Sequence, residues 1–308
     1  MTMSVEPLAR KEVFKRFPWL RDRDRPMVIS ADIDGLLSAA FLHHHLGWQV
    51  AGYYDSATLW LSTMTDKQRD RLIWIDLDIC HPGCPALGHH ILTLTGAAPA
   101  ALSCVCNPDL LAGIGADAFT SKYPFSTVLL LLWLHEVPLR RDLMARLLVL
   151  HADSSWINYQ HYGDNCRSWR QRLPGYDWRW LFNQVDSERF EERMRDQLYR
   201  RLERLRARNS QGRTSSRHLG LTGGQLRFNP DWDEDVILSV YSLAGTYLKW
   251  SPPQAPAIAN RIEGHRTTAS LGSLTSKDFP ENLIRSGVFS YAIISRDTIN
   301  FTRLDWQT

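Results

Sequence analysis

Short apolar runs alternate with helical patterns through the first part of the chain. The candidate strands are Met27–Ser30, Gln49–Tyr54, Leu72–Ile75, Ile91–Leu94 and Ala101–Cys104. Apolar residues recur at helical spacing over Leu36–His45, which lies between the first two runs. Strands that alternate with helices form parallel sheets covered by helices, so this pattern predicts an α/β fold.

Helical spacing dominates the middle of the chain. Apolar helices are expected over Ser126–Glu136 and Leu139–Leu150. A longer helix begins near Asp186 or Ser187, either of which can cap it, and runs to Ala207. Its apolar stripe recurs every three or four residues and consists of Phe190, Met194, Leu198, Leu202 and Leu205.

The last third of the chain predicts a second, smaller domain. Asn209–Gly224 is rich in Ser, Thr, Gly and Arg, which is typical of a linker. The runs expected to form strands after it are Leu226–Phe228, Val236–Tyr241 and Val288–Ile294. We therefore expect a parallel-sheet domain over residues 1–185, a connecting helix and linker over 186–215, and a smaller α/β domain over 216–308.

Composition is that of an ordinary globular protein, with 44% hydrophobic and 22% charged residues and a formal net charge of +3. This small bulk charge does not by itself indicate a nucleic-acid partner. The longest apolar run, Val128–Leu134, is much shorter than the ~20 residues that span a bilayer, so no membrane segment is expected. Because Met1–Lys15 mixes charges and lacks an apolar core, no secretory signal is expected either, and the predicted location is cytoplasmic.

The five cysteines fit a reducing compartment, because their number is odd and the chain is long. Cys80, His81 and Cys84, together with Cys104 and Cys106, raise the alternative of a zinc site. Their spacing does not match the paired C-x-x-C pattern of structural zinc sites, which favours buried free thiols.

Acidic and histidine side chains lie where the predicted strands end or begin. The set consists of Asp32 and Asp34 after the first strand, Asp76 and Asp78 after the third, and His89–His90 ahead of the fourth. Side chains two residues apart on an extended segment point the same way, so Asp32 and Asp34 are expected to face one point. Carboxylate oxygens combined with imidazole nitrogen suit a divalent cation such as Mn²⁺.

Each segment also has a purely structural explanation. Asp32–Gly35 fits a turn and a helix cap, because Asp and Gly are common in both. Asp76 and Asp78 are compatible with an ordinary strand end, and Asp153 with a helix cap. A shared function is favoured by the ordered series of motifs.

That series resembles the DHH phosphoesterase family, which includes RecJ-type exonucleases, small-oligonucleotide nucleases, cyclic-dinucleotide hydrolases and manganese pyrophosphatases. The motifs that carry the resemblance are, in chain order, Met27–Gly35, Trp74–Ile79, Gly88–His90, Asn107–Pro108, Lys122–Thr127 and Ala152–Ser154. Near the end, Gly264–Gly272 resembles the glycine-histidine loop of the DHH-associated domain.

The resemblance implies a metal-dependent phosphodiesterase and assigns roles to particular residues of this chain. One Mn²⁺ or Mg²⁺ would be held by Asp34, Asp76, His89 and Asp153, and a second by Asp32 and Asp76. His90 would face the substrate phosphate, and Asp78 would either support the site or replace a ligand. Pyrophosphate fits less well as the substrate, because no Lys/Arg clamp is evident in the expected place.

Several positions depart from the family pattern. Gly88 stands where the family usually has Asp, Val28 where many relatives have His, and Ser30 where RecJ-like members often have an acid. Glu263 replaces a glycine in the late loop. These changes leave fewer ligands at the second metal position. Three alternatives therefore stay open: a one-metal enzyme, a weak enzyme, and a catalytically impaired relic that binds nucleic acid or proteins.

Candidate substrate contacts lie later in the chain. From Arg204 to Arg217 the sequence has no acid, and Arg204 and Arg208 are candidate phosphate contacts. The alternative is a solvated face balanced by nearby glutamates. The resemblance adds Gly264, His265 and Arg266.

The expected partner is single-stranded nucleic acid or a short oligonucleotide, digested as by an exonuclease. A cyclic dinucleotide or another small nucleotide is the alternative substrate. An oligomer is compatible with the sequence.

Overall fold

The chain adopts a mixed α/β fold in the computed structural model. The structure describes residues 6–81, 83–205, 208–209, 214–223, 226–274 and 279–305, with the backbone alone for 208–209. Contacts divide the chain into two units. The helical unit comprises Met1–Ala9, Ala31–His45 and Pro124–Ala255, and the sheet unit comprises Arg10–Ser30, Leu46–Tyr123 and Pro256–Thr308. The domain boundaries at 185 and 215 stay predictions.

The strands of the described residues form three sheets. They are β1 (Pro26–Ser30), β2 (Gln49–Tyr54), β3 (Thr58–Ser62), β4 (Ile73–Ile75), β5 (Ala86–Leu87), β6 (Val105–Cys106), β7 (Arg208–Asn209), β8 (Leu226–Arg227), β9 (Ile258–Glu263), β10 (His265–Ser270), β11 (Val288–Ile293) and β12 (Thr298–Arg303). β7 and β8 form a two-stranded antiparallel pair in the helical unit.

Parallel pairing builds the centre of the large sheet, whose order is β6-β5-β4-β1-β2-β3-β9. β1 pairs in parallel with β2 and β4, and the sheet continues in parallel through β5 to β6. β3 and β9 add antiparallel pairing at the other end. The predicted α/β class with a largely parallel sheet is confirmed. Because parallel strands share a carboxyl edge, the segments that follow β1, β4 and β5 leave the sheet on the same side.

Burial on both faces explains why β1 and β4 read as continuous apolar runs. Met27, Val28 and Ile29 of β1 are fully buried, and so are all three residues of β4. Strands at the centre of a parallel sheet lack the polar alternation of strands with one solvated face.

The small antiparallel sheet, in the order β10-β12-β11, belongs to the same unit as the large one. β11 forms isolated bridges with Ile79 and Ile91, and the Tyr291 hydroxyl donates a hydrogen bond to the Leu92 carbonyl at 2.7 Å. Strand β11 is therefore hydrogen-bonded to the segment that carries the second and third motifs.

Helices make up most of the helical unit. The α-helices of the described residues are α1 (Arg10–Arg16), α2 (Ile33–Leu46), α3 (Asp66–Arg69), α4 (Pro108–Leu111), α5 (Thr127–Leu134), α6 (Leu143–His151), α7 (Ser155–His161), α8 (Gly163–Arg172), α9 (Trp178–Leu181), α10 (Glu188–Arg193), α11 (Arg200–Arg204), α12 (Glu234–Leu243), α13 (Leu271–Leu274) and α14 (Glu281–Arg285). α10 continues through a π-helical segment, Met194–Tyr199, into α11. No described helix has both the length and the apolar character that crossing a bilayer requires.

The long predicted helix is confirmed from Glu188 to Arg204, with Ser187 as its cap, and its predicted end at Ala207 lies outside the described residues. The Ser187 hydroxyl accepts a hydrogen bond from the Phe190 backbone N–H, and Asp186 does not serve as the cap. The stripe residues Phe190, Met194, Leu198 and Leu202 are all buried. α5 also matches its prediction, and all of its residues are buried.

Three predicted strands are wrong. Val236–Tyr241 lies in helix α12, where Val236, Ile237, Val240 and Tyr241 are buried at helical rather than alternating spacing. Ala101–Cys104 overlaps a 3-10 turn, and the strand begins one residue later as β6. Ile91–Leu94 contributes only an isolated bridge at Ile91. The sequence reading also missed β3, β5 and helices α7 and α8.

Candidate metal centre

Asp34 has its carboxylate fixed by the start of a helix distant in sequence. It lies in the first turn of α2 and is fully buried. Its Oδ2 accepts a hydrogen bond from the Thr127 N–H at 2.6 Å, and its Oδ1 accepts one from the Val128 N–H at 3.0 Å. These are the first N–H groups of α5, which have no partner within their own helix. Each carboxylate oxygen keeps further lone-pair capacity after these two bonds.

Asp76 follows β4 in a left-handed backbone conformation, with φ of +60°. Its Oδ2 accepts a hydrogen bond from the Ser30 hydroxyl at 2.5 Å, and its Oδ1 lies 3.3 Å from Nδ1 of His89. Ser30 ends β1, the strand that pairs with β4, so the two neighbouring strand ends orient this carboxylate together. Positive φ in a non-glycine residue is concentrated at functional sites.

Asp153 lies in a short turn after α6 and also has positive φ, +49°. Ser154 follows with φ of +52° and precedes α7. The Asp153 carbonyl accepts a hydrogen bond from the Asn158 side chain at 3.3 Å. Two consecutive left-handed residues set the direction in which the Asp153 carboxylate leaves the backbone.

The four residues predicted for one metal position come together. One donor atom from each of Asp34, Asp76, His89 and Asp153 lies within 4.8 Å of the donor atoms of the other three. We call these four residues the donor quartet. It offers three carboxylates and one imidazole, a mixture of oxygen and nitrogen that suits Mn²⁺ and, second, Mg²⁺.

Asp32 lies outside the donor quartet and caps α2. Its Oδ1 accepts a hydrogen bond from the Gly35 N–H at 3.1 Å. The segment that holds Asp32 and Asp34 is not extended as expected, because Asp34 lies in the first turn of α2. The structural explanation for the Asp32 side chain, a helix cap, is the one that the geometry supports.

Asp78 is surrounded by hydrogen-bond donors and organises His90. Its Oδ2 lies 3.0 Å from the His90 backbone nitrogen and 2.8 Å from Nδ1 of the His90 ring. Its Oδ1 accepts a hydrogen bond from the Asn107 amide at 2.9 Å, and that amide also donates to the His90 carbonyl at 2.8 Å. The Asp78 side chain is 3% exposed and the His90 side chain 46% exposed.

Gly88 makes room for that carboxylate. A Cβ atom at position 88 would lie 2.2 Å from Oδ1 of Asp78 and 2.5 Å from its Cγ. The Asp78 carboxylate therefore occupies the space that a side chain at position 88 would need.

His89 and His90 stack on each other, with ring centroids 4.6 Å apart. Asp109 is fully buried, and its Oδ1 accepts a hydrogen bond from the Tyr123 N–H at 2.7 Å. Burial raises the pKa of Asp109 to about 7, although the Tyr123 N–H, Lys122 and His89 each oppose that rise. Asp109 therefore titrates near neutral pH in the folded protein.

The predicted substrate contacts stay predictions. Gly264 uses its N–H for the Ala57 carbonyl, at 2.7 Å, and a Cβ there would lie within 3 Å of three neighbouring atoms, so this glycine serves backbone packing. His265 and Arg266 begin β10 and are exposed. Arg204 is exposed at the end of α11, whereas the Arg208 side chain and much of the arginine-rich run lie outside the described residues.

The cysteines do not join the donor quartet. The described structure has all five as free thiols. Burial raises the pKa of the Cys84 thiol to about 11 and that of Cys106 to about 12, which disfavours the thiolate that zinc requires.

Comparison with protein-family models, with curated proteins and with solved structures finds no match to this chain. Membership of the DHH family therefore stays a prediction from the motifs.

Sequence reasoning missed the roles of two polar residues. Asn107 lies in one of the motifs, which predicts no function for it, yet it links Asp78, the His90 carbonyl and the start of α4. Ser30 stands out in the sequence only as a departure from the family pattern, yet it orients Asp76. The signal that the sequence offers in each case is a polar residue at the end of an apolar run.

Proposed function

We propose that this protein is a metal-dependent phosphodiesterase that uses one divalent cation, Mn²⁺ or Mg²⁺, held by the donor quartet. The observation that carries the proposal is the approach of four donor atoms to within 4.8 Å of one another. They come from four separate stretches of the chain, which the motif series predicts to hold one cation.

The donor set fits such a cation. Ligand atoms bound at ~2.1 Å to one cation lie about 3–4 Å apart, which is close to the 3.3 Å between His89 and Asp76. Two of the carboxylates are also oriented by the protein itself, Asp34 by two backbone N–H groups and Asp76 by Ser30. Such supporting hydrogen bonds fix the orientation of metal ligands.

A bound cation would neutralise charge on the phosphoryl group and lower the pKa of a bound water. The protein's own residues would place the substrate. His90 is half-exposed next to His89 and is suited to hydrogen-bond a phosphate oxygen. Asp32 serves as a helix cap, and Val28 and Ser30 stand where the family pattern has a His and an acid. Both observations support one cation rather than two.

The substrate we favour is single-stranded nucleic acid or a short oligonucleotide, on the strength of the motif series and the arginine-rich run after Arg204. A binding protein without activity is the second candidate. The observation that favours it is the same loss of ligands at the second metal position.

The test is hydrolysis of end-labelled single strands of DNA and RNA, and of a cyclic dinucleotide, with Mn²⁺, Mg²⁺ or EDTA. We expect Mn²⁺-dependent cleavage that Asp76→Asn reduces by at least about 100-fold. Asp117→Asn, an exposed acid in the same unit, is the control and should leave the rate unchanged. Tight strand binding without cleavage in any metal would establish the binding protein instead, and equal cleavage by Asp76→Asn would exclude the donor quartet.

A further inference from the structure

The contacts of Asp78 indicate how His90 is used, and this role of His90 rests on the proposed function. Asp78 lies two residues beyond Asp76, but it belongs to no cluster of metal-ligand donors among the described residues. Its carboxylate instead meets three donors, the His90 backbone N–H, the His90 ring and the Asn107 amide.

Those contacts fix which ring nitrogen of His90 carries a proton. A carboxylate only accepts hydrogen bonds, so Nδ1 of His90, 2.8 Å from Oδ2 of Asp78, must donate. Nε2 is then the nitrogen left for the substrate. The second oxygen of Asp78 is held by Asn107, which also binds the His90 carbonyl and so ties the carboxylate to the backbone of the residue that it orients.

The absence of a Cβ atom at position 88 belongs to the same arrangement around Asp78. Any other residue at position 88 would overlap Oδ1 and Cγ of Asp78, because its Cβ would lie 2.2 and 2.5 Å from them. Gly88 and Asp78 are therefore a matched pair, in which the glycine is required by the acid.

We propose that Asp78 is the positioning residue of His90: it accepts the hydrogen bond from Nδ1–H and directs Nε2 to the substrate phosphate. Because position 88 is glycine, the Asp78 carboxylate occupies the space that a side chain there would otherwise fill. His90 is the group that touches substrate, and Asp78 acts through it. The carboxylate–imidazole pair sets both the tautomer and the orientation of the ring.

The first test reads the tautomer and does not depend on activity. In protein labelled with ¹⁵N-histidine and saturated with Mg²⁺, long-range ¹H–¹⁵N spectra are recorded, with His90 assigned by the His90→Gln variant. We expect neutral His90 to carry its proton on Nδ1. We expect Asp78→Asn to abolish that preference, because the amide nitrogen that replaces one carboxylate oxygen donates hydrogen bonds and does not accept them. A proton on Nε2 in the wild type, or an unchanged spectrum in Asp78→Asn, overturns the proposal.

The second test asks whether Asp78 acts through His90. With an Mn²⁺-loaded enzyme and a labelled oligonucleotide, Asp78→Asn should lower kcat about 10–100-fold with little change in KM. The double variant Asp78→Asn/His90→Gln should be no slower than His90→Gln alone. Multiplied losses would show that Asp78 works independently and would overturn the assignment.

A third measurement covers the matched pair. Gly88→Ala should lower the melting temperature by several degrees, roughly 2–8 °C, but should cost nothing further in the Asp78→Gly background. Gly272→Ala, where the added Cβ has only ordinary contacts, is the control. Additive losses at positions 78 and 88 would contradict the pairing. If no substrate is hydrolysed, the proposed function fails, while the tautomer and this stability cycle still decide the role of Asp78.

Discussion

Two of the four residues in the donor quartet hold backbone conformations that disfavour their side chains. Asp76 and Asp153 have φ of +60° and +49°. Each such residue costs on the order of 1 kcal/mol or more of folding free energy, and the surrounding structure must supply it. Backbone strain at a cluster of acids is expected where the direction of metal-binding side chains is selected at the expense of stability.

Replacing Asp153 with glycine tests that trade-off. In EDTA, Asp153→Gly should raise the free energy of unfolding by about 0.5–1 kcal/mol, because glycine tolerates positive φ and a clustered acid is removed. With saturating Mn²⁺ the wild type should become the more stable protein, since the variant lacks a ligand. Urea denaturation measures both.

Ser154→Gly is the matched control, because it relieves similar strain without touching the donor quartet. It should stabilise the protein with and without Mn²⁺. A variant Asp153→Gly that is less stable than the wild type in EDTA would show that Asp153 serves the fold rather than a cation.

Asp109 predicts a specific pH dependence of stability. Its pKa is about 7 in the folded protein, above the ordinary value, because the carboxyl is buried. The folded state then holds a proton that the unfolded state releases, so this residue's contribution to stability falls as pH rises from about 4 to about 7. Asp109→Asn should therefore be more stable than the wild type at pH 8, by on the order of 1–4 kcal/mol.

The comparison is made on metal-free protein by urea denaturation at pH 4.5, 6 and 8 (roughly spanning the titration). The difference between wild type and variant should grow with pH. A constant difference would contradict a buried carboxyl with a raised pKa.

Much of the candidate site was accessible from the sequence because its residues lie where elements end. Asp76 and His89 adjoin short strands, and motif order selected Asp34 and Asp153 with them. The side-chain partners were not accessible: Ser30 and Asp76 are 46 residues apart, and Asn107 and Asp78 are 29 apart. Such pairing depends on strand order and register, which local patterns do not encode.

At the scale of elements, a buried glutamate joins α10 to the segment after β7. Glu191 is fully buried and accepts hydrogen bonds from the Ser216 hydroxyl, the Gln160 amide and the backbone N–H groups of His218 and Leu219. Burial alone would raise the pKa of Glu191, but these hydrogen bonds together lower it below its ordinary value.

Glu191→Ala should lower the free energy of unfolding by about 2–4 kcal/mol at pH 7, because it leaves several buried donors without an acceptor. Since the folded pKa is lowered, the stabilisation is present above the ordinary glutamate range and is lost as pH falls through the folded pKa. Glu192→Ala, its exposed neighbour, is the control and should be near neutral. Equal effects of the two variants would contradict the role of Glu191.

Elements with continuous apolar runs, such as β1, β4 and α5, were predicted well, and elements that are short or rich in β-branched residues were not. β1, β2, β4, α2 and α5 agree with the sequence within a few residues. α12 was mistaken for a strand because its β-branched residues favour strands locally, while packing selected a helix. β5 and β6 have only two residues each, too few for any periodicity.

At the scale of the whole molecule, the arginine-rich run from Arg204 to Arg217 is the predicted contact for single-stranded nucleic acid. Arg204→Glu should weaken binding of a single-stranded oligonucleotide, and more so at 50 mM than at 200 mM salt (roughly the range over which counterion release is felt). The slope of log K against log salt should shrink by about one. Fluorescence anisotropy measures both.

Arg69→Glu, an exposed arginine in α3, reverses a charge elsewhere and should change the salt slope little. A loss of affinity for Arg204→Glu that is equal at all salt concentrations would exclude a phosphate contact.

Anomalous scattering shows whether one divalent cation binds the donor quartet. Diffraction from crystals equilibrated with Mn²⁺, measured at the manganese edge, should show one peak within about 2.3 Å of a donor atom from each of Asp34, Asp76, His89 and Asp153. Asp76→Asn crystals should lose that peak. A peak bound by other residues, or no peak among these four at saturating Mn²⁺, would contradict the account.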